Sequence, residues 1–388
     1  MGCCGGQERR TVRRMRGVML VTPTAAPGGA ERALAALARR LPDDGWRCVA
    51  VSIGDGPAVE WLRDAGAAVE VVPETRLRDV PRSLALVTRL RSSIRRHGVD
   101  VVVGNQARGH LYAGLAAATA RLPAIWWNHV IPEPDWLNRV ASRIPSAAIV
   151  CSTSEAVAAQ RAISPRRRIE RIPPGIDVAA VAARRGSGAA VATQLRRATT
   201  SAVVGIVGRL QAWKGQDVFL HAAARIAARH PGVRFAVVGG AVLGWEGDER
   251  GRLETLARDL GIADRVHFTG HVDDPYPWLD ALDVVVNASV TPEPFGLAVL
   301  EAMALARPVV ATFGGGPSEI VENGTSGILV PPGDAAALAD AVIALLADAE
   351  RADAIGRAAA RRAEAFDEAR TAEAFAALFD DVTGSARG

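Results

Sequence analysis

Two glutamates, Glu293 and Glu301, bracket seven mostly apolar residues in the stretch Thr291-Pro292-Glu293-Pro294-Phe295-Gly296-Leu297-Ala298-Val299-Leu300-Glu301-Ala302-Met303-Ala304. At ~100° per helical residue the second lies roughly 80° round from the first, so they do not share a helix face well. Pro292 and Pro294 keep Glu293 out of a helix interior. The pattern predicts Glu293 on a loop at a helix entrance and Glu301 two turns inside. The N–H groups of Phe295, Gly296 and Leu297 then point at whatever lies ahead of the helix, and such an end attracts anions.

A second constellation is Gly208-Arg209-Leu210-Gln211-Ala212-Trp213-Lys214-Gly215, which puts two cations on one loop after an apolar run. A diphosphate suits them, with Arg209 as a fork and Lys214 as a point charge. Two solvated surface cations are the plainer reading of this loop alone. The spacing of a P-loop is absent. Phe313-Gly314-Gly315-Gly316-Pro317-Ser318-Glu319 is a Gly-rich turn that tight packing explains as well as ligand binding. His129 follows Ile125-Trp126-Trp127-Asn128 at the carboxyl end of an expected strand. A lone histidine is more often structural, but that position favours chemistry. Gly104-Asn105-Gln106-Ala107-Arg108-Gly109-His110 also follows a strand. Asn105, Arg108 and His110 there are candidate acceptor contacts, and a helix cap with solvated charge explains them about equally well. Trp126, Trp127 and Trp136 near His129 suit either sugar rings or packed loops.

The elements that must position these residues alternate. The run 17–21 predicts a strand, followed by the loop Ala26-Pro27-Gly28-Gly29 and an amphipathic helix over 31–41 with Leu34, Leu37, Ala38 and Leu41 on one side. Strands then fall at 47–53, 69–72, 100–103, 124–127 and 147–151, with helices at 59–65, 83–97 and 110–120. The pattern restarts at 202–208 with a helix over 217–230. It continues through strands at 234–238, 266–269, 283–287, 308–311 and 328–330, and helices at 250–260 and 335–347. Such alternation implies parallel sheets covered on both faces. Residues 178–200, rich in Ala and Arg around Gly186-Ser187-Gly188, read as a linker with one helical turn, and 354–382 reads as helical throughout. The expected division is a disordered leader 1–16, a first domain 17–178, a linker 179–200, a second domain 201–365, and a C-terminal helix and tail 366–388. Ligands in such sheets sit at the carboxyl ends of strands, so the cleft between the halves is the expected site.

Composition sets limits. A chain of 388 residues suggests two domains, and 49% hydrophobic with 23% charged residues fits a soluble globular protein. No apolar run approaches the ~20 residues of a membrane span. A net charge of +4 is too small to argue for nucleic acid. Arginines cluster at 9–16, 89–96 and 166–168, which usually marks solvated faces; attraction to an anionic membrane is the weaker reading. Cys3-Cys4 near the N-terminus invites lipidation, but Gly6 breaks the myristoylation pattern. Cys48 and Cys151 are isolated among strand-like residues, so buried free thiols and a reducing, cytoplasmic compartment are expected.

Taken together and in order, several segments resemble the retaining glycosyltransferases of family 4. They are Gly28-Gly29-Ala30-Glu31, His129, Gly208-Arg209 with Lys214-Gly215, the Glu-x7-Glu element, Pro308-Val309-Val310-Ala311-Thr312 and Asn323-Gly324-Thr325-Ser326-Gly327-Ile328-Leu329-Val330. The resemblance runs from Gly17 to about Phe379. It implies an α/β protein of the GT-B fold: two Rossmann-like doubly wound parallel-sheet domains facing across a cleft, with a C-terminal helix that crosses back to the first. Phe366, Phe375, Leu378 and Phe379 supply that helix with an apolar stripe. The implied roles are Arg209 and Lys214 on the donor's diphosphate, Glu301 on the ribose, and Glu293 on the donor sugar. Phe295, Gly296 and Leu297 would flank Glu293. His129 would meet the sugar near its reacting carbon, Gly28 and Gly29 would let the first loop approach the phosphates and the acceptor, and the backbone at His271 and Val272 would meet the base; the first domain would hold the acceptor and the second the nucleotide sugar.

Breaking a sugar–phosphate bond leaves negative charge on the diphosphate, which fixed cations stabilise. No Asp-x-Asp is present to hold a metal. The expectation is therefore metal-independent transfer with retention, with no cofactor. The substrates are a UDP- or GDP-sugar donor and a hydroxyl acceptor that includes the lipid-linked class, and the protein is cytoplasmic with peripheral contact on the inner membrane face. A sugar-nucleotide epimerase and a non-catalytic nucleotide-sugar-binding protein are the rivals.

Overall fold

Val101-Val102-Val103 and Val284-Val285-Val286 have no polar face, so each can only be a central strand with both sides covered. The computed structural model describes residues 15–196, 202–240 and 248–384, and it places both runs so. The expected leader up to residue 14, with Cys3, Cys4, Arg9, Arg10, Arg13 and Arg14, and residues 197–200 of the expected linker lie outside the described residues, whereas Arg16, placed in the leader from the sequence, opens the first strand.

The first sheet comprises β1 (Arg16–Thr22), β2 (Trp46–Ile53), β3 (Ala68–Val72), β4 (Val101–Asn105), β5 (Ala124–Asn128), β6 (Ala148–Cys151) and β7 (Ile169–Arg171). Their order is β3-β2-β1-β4-β5-β6-β7, and every pairing is parallel. The second sheet comprises β8 (Val203–Val207), β9 (Arg234–Val238), β10 (Val266–Gly270), β11 (Val284–Asn287), β12 (Val309–Thr312) and β13 (Ile328–Val330). It runs β10-β9-β8-β11-β12-β13, again all parallel. The GT-B expectation of two doubly wound sheets therefore holds. In each sheet the order reverses beside the first strand, between β1 and β4 and between β8 and β11. Ligands in such sheets bind at that reversal.

The stretch expected to be a linker carries two short helices, Val178–Ala182 and Ala189–Leu195. Val178, Val181 and Leu195 lie in the core beneath the second sheet. The buried Asp280 carboxylate accepts the N–H groups of Gly186 and Gly188 at 2.8 and 2.9 Å. These contacts fix a segment whose sequence has no apolar stripe.

The C-terminal run is not one continuous helix. Helix Ala349–Ala363 covers the second domain, a turn follows, and helix Glu368–Gly384 begins. That last helix buries Phe375, Leu378 and Phe379 in the first domain's core, with Phe379 edge-on to Trp46 at 5.0 Å. The two interdomain crossings run side by side: Ile176 donates its N–H to Phe366 O, and Glu368 donates to Ile176 O. Glu368, 1% exposed, is gripped by Arg39 at 2.7 and 2.9 Å and Arg40 at 2.8 Å, and Arg40 also holds Asp177 at 2.9 Å. Among the described residues no helix is long and apolar enough to cross a membrane.

Candidate active site

The loop after β8 and the loop after β11 flank the second sheet's reversal, and they carry the predicted cations and carboxylates. Gly215 closes the short 3-10 turn Ala212–Lys214 with φ of 69°. A Cβ there would stand 2.0 Å from Ala288 O, so only glycine lets the two loops touch. Val290 N–H donates to Trp213 O at 2.8 Å across the same seam.

That seam brings Lys214 onto Glu293. The ammonium lies 2.8 Å from Oε1 and 2.7 Å from Oε2. Glu293 is 6% exposed; Ser289 Oγ donates to its Oε2 at 2.7 Å and Asn287 Nδ2 approaches at 3.4 Å. The Gly-rich turn wraps its backbone: Gly316 N–H donates to Glu293 O at 2.8 Å, and a Cβ on Gly315 would meet that oxygen at 2.0 Å. So the turn packs around Glu293. Lys214 and Glu293, assigned separate tasks from the sequence, are one ion pair here. Ser289 and Asn287, which orient it, carry no motif that singles them out.

Helix Leu297–Ala304 starts at Gly296, φ 95°. Phe295 is buried against Phe366, so its side chain is structural. Leu297 reaches the first lobe: a Cβ on Gly29 would lie 3.4 Å from its Cδ1. Glu301, 4% exposed, accepts Arg32 Nη1 at 3.2 Å from the opposite lobe and is hydrogen-bonded by Tyr276. Burial raises its pKa, and Arg32 opposes that rise. Val272 is half-buried just past β10, packed on the second core. Arg209 is exposed, and its charge acts on Glu31 of the first lobe.

The first lobe sorts its candidates differently. His129 follows β5 with its ring 4.3 Å from Trp127, and its Nε2 is buried without a partner. Burial pushes its pKa down to about 3, so the imidazole is neutral. Gly28 caps helix Gly29–Arg40, and Glu31 in that first turn is 5% exposed. Asn105 ends β4 fully buried. Arg108 is spent on Thr75 O, in the loop after β3. His110 is fully buried with its ring stacked on Trp126 at 5.4 Å, so an acceptor cannot touch it. Its pKa is also pushed down to about 3, by burial first and Arg167 second. Trp126 and Trp127 are core residues, whereas Trp136 is 64% exposed.

The burial of Glu293 beneath a half-buried Lys214 makes the pair asymmetric under mutation. Lys214→Ala should destabilise the protein by about 3–5 kcal/mol in denaturant unfolding, because it strands a buried carboxylate. The double variant Lys214→Met with Glu293→Gln should recover most of that stability. The buried, neutral His110 must charge on acidification. A group with its folded pKa lowered from 6.5 to about 3 contributes stability above pH 6.5 that is lost as pH falls toward 3. Unfolding free energy should drop by up to about 1.4 kcal/mol per pH unit in that window from this group. His110→Gln should show a correspondingly shallower acid slope.

Comparison with known proteins agrees with this architecture. The model described as "Glycosyltransferase Family 4" matches residues 27–180, and that described as "Glycosyl transferases group 1" matches 201–348. The chain is 36% identical over 228 residues to D-inositol 3-phosphate glycosyltransferase of Corynebacterium jeikeium, covering 57% of this chain and 52% of that protein. The chain thus spans about half the length of such curated relatives. It is 30% identical over 326 residues to the lipopolysaccharide core biosynthesis glycosyltransferase LpsE of Rhizobium meliloti, covering 83% of this chain and 86% of that one. Among solved structures, Anabaena HepE in complex with UDP and glucose superposes with a TM-score of 0.83 at 26% identity, covering 93% of this chain and 98% of that one. Two adjoining domain matches in the right order and a relative similar over most of its length place this chain in glycosyltransferase family 4.

Proposed function

We propose that the protein transfers a sugar from a nucleoside diphosphate donor, a UDP-sugar, to a hydroxyl acceptor, with retention and without a metal. The Lys214–Glu293 pair at the second sheet's reversal carries this reading. An ammonium has three N–H donors, and two contacts with Glu293 leave one for a phosphate oxygen. Glu293 Oε1 receives only Lys214 among the described contacts, so a sugar hydroxyl can donate to it. Glu301 offers ribose hydroxyls a buried acceptor. Arg209 is free to swing onto the diphosphate. The bond from the anomeric carbon to phosphate oxygen breaks with its electron pair leaving on UDP. The acceptor oxygen bonds to the same face, and its proton passes to the leaving phosphate oxygen. Lys214 and Arg209 stabilise the charge that develops.

A further observation supports the reading: HepE holds UDP and glucose on the same fold. A thermal-shift panel of UDP-, GDP-, ADP- and dTDP-sugars should single out the UDP class. Binding at a hundredfold excess over Kd stabilises by about 2.7 kcal/mol. Transfer should continue in EDTA; loss in EDTA with rescue by Mg²⁺ or Mn²⁺ would refute the metal-free mechanism.

Peripheral membrane contact belongs to the same proposal. Helix Val80–His97 exposes Val80 and Leu84, at 59% and 63%, beside exposed Arg76, Arg78 and Arg82. Apolar side chains rimmed by arginine suit an anionic surface. Co-sedimentation with phosphatidylglycerol vesicles, but not phosphatidylcholine ones, is the expected result, and Arg78→Glu with Arg82→Glu should remove it.

A further inference from the structure

The donor reading gives Trp213 no task. In the first lobe, Trp46, Trp126 and Trp127 are fully buried and build the core. Trp213 is only half-buried, and among the described residues it joins neither apolar core of the second lobe. Its ring is nevertheless fixed. The indole Nε1–H donates to Gln211 Oε1 at 3.1 Å, and the Trp213 carbonyl accepts Val290 N–H at 2.8 Å. Lys214 N–H donates to Gln211 O at 2.8 Å and closes the turn beneath it. Anchored this way, the ring lies over the Lys214 ammonium, with Nζ 4.2 Å from the ring centroid. Neighbours in sequence point apart on a helix or strand. Here the short turn Ala212–Lys214 lets the two meet.

The ammonium thus has two neighbours of opposite kinds. Glu293 takes it with both oxygens, at 2.7 and 2.8 Å, and Trp213 covers it with a π face. A carbonyl or a water in the tryptophan's place would accept the remaining N–H, and an incoming phosphate oxygen would first have to displace it. An aromatic face attracts a cation through its quadrupole and offers no oxygen lone pair. It therefore shields Lys214 from water and leaves that N–H uncommitted. A quadrupole's field also falls off faster with distance than a charge's, so the ring steadies the ammonium without cancelling its charge at a phosphate. The Lys214 side chain is 19% exposed, and a cation–π contact strengthens as the cation loses water. Packing alone accounts for an apolar side chain beside a lysine stem. It does not account for a ring set over the charged end, with its N–H tied back to Gln211.

We propose that Trp213 is a positioning residue for the leaving group: its π face holds the Lys214 ammonium partly dehydrated and ready for the donor's diphosphate, and Gln211 sets the ring. The ligand portion it serves is the pyrophosphate of a nucleoside diphosphate, not the base or the sugar. Trp213 touches no reacting atom. Its effect is carried by Lys214 and grows as the sugar–phosphate bond breaks, because charge then gathers on the phosphate oxygens. This assignment deepens the donor reading and rests on it.

The test replaces Trp213 by tryptophans carrying one, two and three ring fluorines, which withdraw π density and keep the indole's shape and N–H. Trp213→Phe and Trp213→Leu accompany the series. Calorimetry gives Kd for UDP and, by displacement of UDP, for uridine. UDP released from UDP-glucose in water gives kcat and KM, and thermal unfolding checks the fold. UDP binding should weaken stepwise with fluorine number, to about tenfold at three fluorines, with uridine unchanged within about twofold. Turnover should fall at least as steeply as UDP affinity. Trp213→Phe should stay within about threefold of wild type, and Trp213→Leu should lose about tenfold. Equal UDP affinity across the fluorinated series would overturn the assignment even if Trp213→Leu bound poorly, because shape and not π density would then matter. So would uridine affinity falling in parallel, which would place the ring on the nucleoside. Wild-type protein that binds no UDP would overturn the donor reading itself, whereas UDP bound without any dependence on fluorine removes only the role of Trp213.

Discussion

A carboxyl group taken out of water must keep its proton or be answered by a cation, and Glu293, met by Lys214, imposes the second demand on the whole second lobe. Removing two charges from solvent costs more than a loose surface pair returns, so the geometry has to be close and fully bonded. The chain meets the demand with backbone. Gly215 adopts a left-handed turn and lies against Ala288 O, which brings Lys214 within 2.8 Å of both Glu293 oxygens. Gly315 and Gly316 close over Glu293 from the next loop. The ends of β8, β11 and β12 are thereby tied to one ion pair. A donor that lands there meets cations and acceptors already fixed in place, which is the condition under which electrostatic stabilisation costs no reorganisation.

The other carboxylate of the motif is answered from across the cleft. Glu301 is as buried as Glu293, but its cation is Arg32, whose side chain is 40% exposed and 3.2 Å away. A pair with one solvated member is weaker and easier to exchange. On the proposed reading, a ribose that takes Glu301 therefore takes it from Arg32, and so alters a contact between lobes. Further contacts close the same cleft: Gly315 N–H donates to Glu155, and Glu319 receives Ser154 N–H and Arg171. The lobes are also joined at the paired crossings of Ile176 and Glu368. Donor binding and lobe position thus share residues.

Much of this was legible in the chain. Runs of valine predicted the sheets, and a single restart of the same strand–helix pattern predicted two lobes. Glu-x7-Glu placed one carboxylate at a helix entrance and one inside, as the structure has them. What escaped had physical reasons. Gly104 and Gly109 read as a loop, because glycine breaks helices on average; here they permit a helix to start against a strand. Residues 178–196 lack an apolar stripe, since Asp280 and a few small contacts hold them. The turn at residues 364–367 lies in a run of good helix formers, and only the need to cross between lobes interrupts it. Arg108 and His110 had the right chemistry, but the first is turned to Thr75 O and the second is buried against Trp126. Sequence gave their spacing along the chain and not the direction in which they point.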